Sequence, residues 1–401
     1  MAVDLDETAV THPLDPLATE EIAAATDILE DEWDVADDAV YHNVVLDEPE
    51  KEFVRAYENG GHFDREAFIV VRQDGETYEA RVSITGEELL GVEHVEGVQP
   101  AITPPEVEQA EQAVINDPEW QEAAAKRGVE NFDLAIVDPW PASGFEPDSH
   151  ADRRLVRGLS WIRTEEEDNG YARPIEGLFA FVDLDEMEVV KIEDNGVVDE
   201  DSPLPPEDAD FRADRVDTRD DFNHLDVVQP EGPSFEVEGQ TVEWLDWEFQ
   251  VGWTPREGLV FHDVTFDDDG EKRKVLHRAS ASEMAVPYGD SDPNHSWKDA
   301  FDIGEFHVGR MANVLTEGCD CLGEMHYFDV AMNDTNGDPK TLPNAICMHE
   351  EDDGVLWKHT EWRKGHTEVR RRRRLVVSFI ATVYNYDYGF YWYFYPDGSI
   401  E

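Results

Sequence analysis

An aromatic segment near the C-terminal end, residues 375–395, places the strongest constraint on how this chain can fold. From Tyr384 to Phe394 every second residue is aromatic, and a period of two puts these side chains on one face of an extended strand. A basic flank could indicate a membrane-spanning helix, but six tyrosines and polar residues such as Asp387 are costly at membrane depth. We therefore predict β-structure. A single strand would span about 70 Å, which is too long to be straight, so a bend near Gly389 is expected.

The charge balance excludes two classes of partner. Asp and Glu number 94 and Lys and Arg number 32, which gives a net charge of -62. A field this negative repels nucleic-acid phosphates and anionic lipid headgroups, so we expect neither nucleic acid nor membrane as a partner. Because 40% of the residues are hydrophobic and 10% are aromatic, the chain is globular rather than disordered. We interpret the excess of acids as a halophilic adaptation to molar salt, which screens the self-repulsion.

Five consecutive arginines, residues 370–374, precede the aromatic segment. Contact with nucleic acid is one interpretation of such a run, but the negative field of the rest of the chain opposes it. We instead predict ion pairs with acids close in sequence, such as Glu361 and Glu368.

The pattern of the chain divides it into four regions. Residues 10–100 and 101–198 each combine helical periodicity with strand-like runs, and the second region begins at the helix cap Thr103-Pro104-Pro105. Residues 199–228 are acidic and proline-rich, as expected of a linker. Residues 229–401 consist of short β-like runs separated by Gly and Asp turns. The predicted fold class is α+β, with two small α+β domains followed by an all-β domain.

The sequence lacks the common signatures of secretion and of enzyme function. The first 30 residues hold no basic segment followed by an apolar core, so we predict no secretory signal and a cytoplasmic location. Three cysteines, Cys319, Cys321 and Cys347, are too few for a disulfide scaffold and lack CxxC spacing. Gly-rich nucleotide loops, GxSxG and HExxH do not occur.

Six motifs, in order along nearly the whole chain, resemble those of the copper-containing primary amine oxidases. Thr382-Val383-Tyr384-Asn385-Tyr386-Asp387 resembles the segment whose tyrosine, here Tyr386, is oxidised to topaquinone. The other matches are His12-Pro13-Leu14, Trp140 with Ala142-Ser143-Gly144, residues 252–260, residues 287–305 and the cysteine segments 318–323 and 346–352. The resemblance implies cystatin-like folds for the two small domains and a β super-sandwich for the catalytic domain, of which this chain holds an incomplete portion.

The resemblance implies oxidative deamination, in which a primary amine, O2 and water give an aldehyde, ammonia and hydrogen peroxide. An amine loses its α-proton only when an electron sink is attached, and a topaquinone formed from Tyr386 by copper and O2 supplies one. The implied base is Asp302, which without the resemblance would be interpreted as a solvated turn acid. Tyr288 is implied to hydrogen-bond the quinone, and Asn385 and Asp387 to position its ring.

Two residues are implied to line the substrate channel. Trp140 belongs to a loop beside the channel, and Ala300 occupies a gate position where relatives carry bulkier, often aromatic residues. The small side chain suggests a wider pocket for an arylalkylamine. The resemblance also pairs Cys321 with Cys347 in a disulfide, and three reduced thiols remain the alternative.

The sequence departs from the family pattern at the metal site. The family binds copper through three histidines, two of them in a His-x-His pair after the topaquinone tyrosine, and no His-x-His occurs here. His349, His359 and His366 precede Tyr386, and we interpret them as structural residues. We therefore expect no metal ligands in this chain, copper ligands outside it, and doubtful activity of this chain alone.

Two functional interpretations stay open at this point. The chain is either part of an amine oxidase that needs a separate C-terminal chain, or a non-catalytic binding or structural relic. The family habit is a homodimer. Because an interrupted sheet exposes unpaired edges, we expect residues 230–401 to aggregate unless a second chain completes the sandwich, and residues 1–200 to be compact by themselves.

Overall fold

The computed structural model describes residues 10–57, 60–142, 153–201, 203–205, 212, 214–219, 221–292 and 294–401. They are mostly β-structure with few helices. None of the described helices has the length and apolar character needed to cross a bilayer. The chain divides into two compact units: the first comprises residues 1–100, 225–283 and 306–401, and the second comprises residues 101–224 and 284–305.

The first unit begins with a helix packed on a four-stranded antiparallel sheet. The elements are α1 (Thr19–Glu32), β1 (Val40–Leu46), α2 (Lys51–Ala56), β2 (Glu66–Gln73), β3 (Glu76–Ser83) and β4 (Glu88–His94), with the strands paired in sequence order. Apolar residues such as Ile22 and Leu29 recur on one face of α1 and pack in a cluster with the sheet. At the start of α1, Glu21 accepts the Ala18 N–H at 3.0 Å, which satisfies a donor that the helix leaves unpaired.

The second unit has a similar arrangement with two helices. The elements are α3 (Pro104–Ile115), α4 (Pro118–Lys126), β5 (Ala135–Pro141), β6 (Leu155–Ile162), β7 (Pro174–Asp183) and β8 (Glu188–Asp194), with the strands again antiparallel in sequence order. Thr103 is the N-cap of α3, as the sequence predicts, and Glu106 accepts its backbone N–H at 2.7 Å. Trp120 and Ala124 of α4 are buried, so the helix contributes to the core of this unit.

A buried arginine joins α4 to the sheet of the second unit. The Arg127 guanidinium is 1% exposed. It donates hydrogen bonds of 2.7–3.0 Å to the carbonyl oxygens of Ala123, Glu176, Gly177 and Gly196 and to Oδ1 of Asp194. Each of the three guanidinium nitrogens therefore has a hydrogen-bond partner, which offsets the cost of burying the charge.

A five-stranded antiparallel sheet follows in the first unit. Its strands are β9 (Phe235–Glu238), β10 (Thr241–Trp244), β11 (Trp247–Thr254), β12 (Gly258–Asp268) and β13 (Glu271–Ser280), each paired with its sequence neighbour. Gly258 has a φ of 74°, and a Cβ at this position would lie 2.3 Å from the ring of Phe379. Only glycine fits this turn, because the conformation and the ring contact both exclude a side chain.

The last sheet of the first unit contains the aromatic segment. Strands β16 (Met325–Asn333), β17 (Pro339–Glu361), β18 (His366–Val383) and β19 (Tyr386–Phe394) pair antiparallel in that order. The segment is β-structure, as predicted, and forms parts of two strands, but the expected bend near Gly389 is wrong, since Gly389 pairs with Ile380 inside the ladder. The chain reverses at Tyr384 and Asn385 instead. Tyr384 has a φ of 51°, a conformation rare for an aromatic residue, so Asn385 is the one common turn residue at the reversal.

Aromatic side chains of the five-stranded sheet and of the β16–β19 sheet pack against one another. Phe249 of β11 stacks on Phe394 of β19 with ring centroids 4.7 Å apart. Trp253 of β11 meets Phe379 of β18 edge to face at 5.3 Å. Phe394 and Phe379 are buried whereas Tyr391 is exposed. The aromatic segment therefore contributes part of its side chains to the core and leaves others at the surface.

The β17–β18 hairpin extends beyond this core, and we call its residues 351–374 the arm. Its side chains are exposed or half-buried on both faces. The arginine run pairs as follows: Arg370 with Glu368, Arg371 with Asp352, Arg372 with Asp353, Arg373 with Glu350 and Arg374 with Glu351. The predicted pairing is confirmed for Glu368, whereas Glu361 pairs with Arg363. Most partners belong to the facing strand, which sequence proximity does not indicate.

Candidate active site

Asp302 lies where a short ladder of the second unit ends. Strand β14 (Ala285–Pro287) pairs antiparallel with β15 (Asp299–Phe301), and α5 (Asp302–Phe306) begins directly afterwards. Strand alternation buries Ala300 and exposes Phe301, at 4% and 44% exposure. Asp302 is itself only 6% exposed. Its side chain is therefore held within the protein, unlike a solvated turn acid.

Trp140, Tyr288 and Trp297 form an aromatic cluster in the second unit. The ring centroid of Trp140 lies 5.7 Å from that of Tyr288 and 6.3 Å from that of Trp297. Phe179 of β7 meets Trp297 edge to face at 5.7 Å. Tyr288 directly follows β14, and its backbone N–H donates to the carbonyl oxygen of Lys298 at 3.1 Å. Trp140 and Tyr288, both predicted site residues, therefore lie side by side.

A buried arginine stacks against this cluster. Cζ of Arg157 lies 4.1 Å from the ring centroid of Trp297 and 4.6 Å from that of Phe179, which gives two cation–π contacts. Its guanidinium donates to Glu193 at 2.8 Å. Burial lowers the pKa of Arg157 to about 10, against the opposing charge of Glu193, so the side chain stays charged at neutral pH. Sequence reasoning missed Arg157, and its position within an otherwise largely apolar strand was the available signal.

Tyr386 stands at the start of β19, directly after the two-residue turn. The ring of Tyr384 in that turn packs edge to face on Phe306, with centroids 5.1 Å apart. The ring of Tyr386 lies nearly parallel to that of Tyr388 at 6.2 Å. Tyr386 is 38% exposed, and Asn385 is also exposed. The first unit thus presents the Tyr386 ring beside the tip of a hairpin.

A chain of hydrogen bonds restrains the hairpin next to Tyr386. Nδ2 of Asn313 donates to Oγ1 of Thr382 at 3.0 Å, and Oγ1 of Thr382 donates to Oδ1 of Asp387 at 2.9 Å. The backbone N–H of Thr382 donates to the carbonyl oxygen of Met311 at 3.1 Å. Asp387 is therefore tied to the opposite strand at the position next to Tyr386.

The predicted site residues are distributed over both units. The second unit holds Trp140, Tyr288, Ala300 and Asp302, and the first unit holds Asn385, Tyr386 and Asp387. Ser143 and Gly144, which belong to the Trp140 motif, lie outside the described residues. The second unit thus offers a buried carboxylate and an aromatic cluster, and the first offers an oxidisable phenol. A carboxylate can move a proton, and a phenol is a precursor for a quinone.

The predicted disulfide partners lie close together in the first unit. Cys321 and Cys347 are buried thiols and Cys319 is an exposed one. A hydrogen bond with Cys347, followed by one with His349, lowers the pKa of Cys321 although burial opposes this. Burial alone would lower the pKa of His349, but hydrogen bonds with Cys321 and Glu351 raise it to about 9. Since the two sulfurs are not bonded here, the disulfide stays a prediction.

Copper would need ligands that the described residues do not bring together. Within the described ranges, the cluster of three or more His, Cys, Asp or Glu side chains able to hold a metal ion consists of Cys321, Cys347 and His349. It contains one imidazole, whereas the resemblance implies three. His359 and His366 are exposed on the arm. No reaction step that involves copper follows from these residues.

Three family models match the chain in sequence order. They are described as the N2 domain of copper amine oxidase, at residues 12–94, its N3 domain, at residues 105–214, and its enzyme domain, at residues 236–401. Together they account for both small domains and for the β-rich remainder. The order agrees with that of the six motifs.

Relatives of known name agree with these models. A primary amine oxidase of Arthrobacter sp. (strain P1) is 46% identical over 400 residues, which cover 98% of this chain and 60% of the relative. The peroxisomal copper-containing diamine oxidase 1 of Nicotiana tabacum is 39% identical over 437 residues, covering 97% and 55%. The crystal structure of a copper-containing benzylamine oxidase from Hansenula polymorpha matches with a TM-score of 0.84 and 29% identity, covering 97% of this chain and 63% of that one. This chain thus spans 55–63% of the length of these relatives.

Proposed function

This chain belongs to the copper amine oxidase family, and on that premise we propose that the protein it forms part of oxidatively deaminates primary amines. A primary amine, O2 and water would give an aldehyde, ammonia and hydrogen peroxide. The observation that carries this proposal is the joint presence of the three family domains and of the motif around Tyr386. A non-catalytic binding or structural role is not favoured, because the implied base and the implied quinone precursor are both present.

Asp302 is the proposed base that removes the α-proton of the bound amine. Its side chain is buried at the end of β15, so the fold rather than the solvent fixes the direction of the carboxylate. A positioned carboxylate contributes about 10²- to 10⁴-fold to proton abstraction. Ala300, the proposed gate residue, lies two positions before Asp302 on β15 and is also buried.

Tyr386 is the proposed precursor of topaquinone, which supplies the electron sink that an amine needs to lose its α-proton. The residues around it support a positioning role. Asp387 is tied to Thr382, and Asn385 sits in the turn between Val383 and Tyr386, so the backbone on either side of the ring is restrained. Copper would be held by residues other than the described ones.

Tyr288 and Trp140 are proposed to shape the substrate side of the site. Their rings touch, and Tyr288 is 40% exposed, which leaves part of its ring available for contact with another group. The hydroxyl of Tyr288 is proposed to donate a hydrogen bond to the quinone oxygen and so to orient the quinone ring. Trp140 is proposed to hold Tyr288 in place and to face the channel.

The small Ala300 is proposed to admit an arylalkylamine. The aromatic cluster of the same unit supports this preference, because aromatic rings pack favourably against one another. Rates with benzylamine, tyramine and methylamine test the assignment. Ala300→Phe should shift the preference toward methylamine, whereas Phe301→Leu, on the exposed face of the same strand, should not. A wild-type protein that clearly prefers methylamine would contradict the proposal.

Further features of the proposed protein concern its surroundings and finer fold. The net charge of -62 supports a halophilic, cytoplasmic protein, since molar salt screens such a charge. Cystatin-like folds for the two small domains, a super-sandwich for the β-rich region and a homodimer are proposed from the family. Light scattering after size-exclusion chromatography in KCl of roughly molar concentration, which screens the charge, measures the oligomeric state.

The deciding experiment uses the protein that contains this chain, supplied with Cu²⁺ and air. Benzylamine should be consumed with the release of one hydrogen peroxide per aldehyde. The tryptic peptide with Tyr386 should gain two oxygen atoms and lose two hydrogen atoms in its mass. Tyr386→Phe should abolish both results, and Tyr388→Phe, two positions along the strand, should leave the mass change intact.

A variant of the base separates chemistry from folding. Asp302→Asn should lower kcat by about 10²- to 10⁴-fold while quinone formation at Tyr386 continues. Asp299→Asn changes an exposed carboxylate of the preceding strand, β15, and this matched control should retain activity. An Asp302→Asn protein with undiminished turnover would remove Asp302 from its proposed role.

A further inference from the structure

Arg157 lies beside the aromatic cluster of the candidate site, on a central strand of the sheet of the second unit. Its register partners are Trp140 on β5 and Phe181 on β7. Residues that face each other on neighbouring antiparallel strands project from the same face of the sheet, with Cβ atoms about 4.5–5.5 Å apart. The register therefore places a positive charge next to Trp140, the predicted channel residue.

The guanidinium of Arg157 is held mainly by aromatic rings. Its Cζ atom lies 4.1, 4.6 and 5.2 Å from the ring centroids of Trp297, Phe179 and Phe181. Arg157 is 4% exposed, and Nη2 donates to Glu193 at 2.8 Å. Nε is buried and has no hydrogen-bond partner among the described residues. Because an unpaired buried donor is destabilising, a hydrogen-bonding role alone does not account for an arginine at this position.

Two routes lead from Trp297 to Tyr288. The first passes through rings, since the centroid of Trp140 lies 6.3 Å from that of Trp297 and 5.7 Å from that of Tyr288. The second passes through the backbone, because Lys298 directly follows Trp297 and its carbonyl oxygen accepts the Tyr288 N–H at 3.1 Å. The indole N–H of Trp297 donates to the carbonyl oxygen of Asn294 at 3.0 Å. Whatever positions the Trp297 ring therefore also affects Tyr288.

The ring of Trp140 depends on these contacts. Its Nε1 atom is buried without a hydrogen-bond partner in the part of the chain that the structure describes, so packing fixes the ring. We propose that Arg157 is a positioning residue of the amine oxidase site, whose guanidinium supports the rings of Trp297 and Trp140 and thereby sets the direction of Tyr288. This inference rests on the proposed function. Arg157 acts through these rings rather than on the substrate.

Fluorine NMR tests this support without relying on activity. The protein that contains this chain is labelled with fluorotryptophan and kept free of copper, and Trp140→Phe and Trp297→Phe assign the two resonances. Arg157→Met removes the cation from an unbranched side chain and should shift and broaden both resonances. Lys191→Met is the matched control, because Lys191 is an exposed cation 5.2 Å from the ring centroid of Phe181. It should leave both resonances unchanged.

Two further variants separate ring contacts from ion pairing. Glu193→Gln removes the charged partner of Arg157 but keeps the stacked rings, so it should change the two resonances less than Arg157→Met does. Equal changes would overturn support by ring contacts. Arg157→Lys should be intermediate, because lysine keeps the charge but lacks the planar group that stacks. It replaces Arg157→Met if that variant does not fold, which circular dichroism and the resonance of the buried Trp120 in the same unit reveal.

Kinetics of the copper-loaded protein provide the second measurement. Arg157→Met should raise KM for benzylamine by on the order of tenfold and leave KM for methylamine within about twofold, because methylamine has no ring for Trp140 to contact. The value of kcat should fall by a similar factor with both amines, since Tyr288 serves both. Lys191→Met should change neither constant. A loss of folded protein would lower kcat without changing the ratio of the two KM values.

Three results would overturn the proposal: unchanged resonances in a folded Arg157→Met protein, equal changes in Lys191→Met and Arg157→Met, or a wild-type ratio of the two KM values in Arg157→Met. A wild-type protein that oxidises no amine would instead refute the proposed function. The NMR spectra would still decide whether Arg157 supports the two tryptophans.

Discussion

The hydroxyl of Thr382 donates a hydrogen bond of 2.9 Å to the carboxylate of Asp387, across the hairpin whose turn directly precedes Tyr386. Thr382 and Asp387 also face each other in the strand register. The bond therefore reinforces the second pair from the turn, in which Tyr384 has its rare backbone conformation. The bond that restrains the hairpin therefore also helps to fix the position of the Tyr386 phenol.

Replacement of Thr382 by Val should loosen the hairpin that carries Tyr386. The variant keeps the shape of the side chain but loses the donor to Asp387 and the acceptor for Asn313, so the free energy of unfolding should fall by about 1 kcal/mol. Thr382→Ser keeps the hydroxyl and serves as the control. Urea denaturation of both variants measures the difference, and equal midpoints for Val and Ser would contradict the role of the bond.

Loss of the Arg127 guanidinium should destabilise the second unit strongly. Arg127→Leu removes the guanidinium that donates to four carbonyl oxygens and to Asp194, which should cost about 3 kcal/mol. Lys126→Ala, at the neighbouring exposed position, removes only a surface pair with Glu122 and should cost less than about 1 kcal/mol. Thermal unfolding of the two variants should therefore differ clearly.

Asp138 should make the stability of the second unit depend on pH. Burial raises the pKa of Asp138 to about 8, although the hydrogen bond from Tyr171 opposes the shift. The folded chain then holds a proton that the unfolded chain releases near pH 4, so this contribution to stability is complete below about pH 4 and falls as the pH rises to about 8. Asp138→Asn should flatten that slope, and Asp133→Asn, in a nearby exposed turn, should leave it unchanged. The test is to measure the unfolding midpoints of the wild type and both variants from about pH 4 to about pH 9 and to compare their slopes.

Salt should stabilise the chain as a whole. With a net charge of -62, self-repulsion should weaken as the Debye length falls from about 10 Å at 0.1 M to about 3 Å at 1 M salt. We expect the melting temperature to rise by on the order of 10 °C over this range. The same series near pH 4.5, where many carboxylates are protonated, should show a smaller rise. An equal rise at both values would show that charge screening is not the cause.

Features with a local cause could be predicted from the sequence. The cap at Thr103 depends on the residues directly after it, and the strand nature of residues 375–395 follows from their period of two. The position of the reversal could not be predicted. Gly389 was the visible breaker, yet it lies inside the ladder, where a Cβ would meet the ring of Tyr391 at 2.6 Å. Tyr384 and Asn385 form the turn, and the ring of Tyr384 is held there by its contact with Phe306.

The candidate site shows the same division between local and long-range causes. Motif matching placed Trp140 and Tyr288 in one site, and the structure brings their rings together. The contact of Arg157 with Trp297 joins residues 140 positions apart in the chain, and nothing in either local pattern indicates the other. The cluster of Cys321 with His349 also depends on a loop that folds back to β17.

The arm and the rest of the protein, here called the body, should respond to salt in opposite directions. In the body the acids outnumber their partners, so ions from the solvent relieve repulsion and favour the compact state. In the arm, arginines of one strand pair with the acids of residues 351–353 on the other, and the same ions compete with that attraction. Molar salt therefore stabilises the compact state of the body and weakens the ion pairs that hold the two strands of the arm together. The arm should become more mobile under the same conditions in which the body becomes more stable.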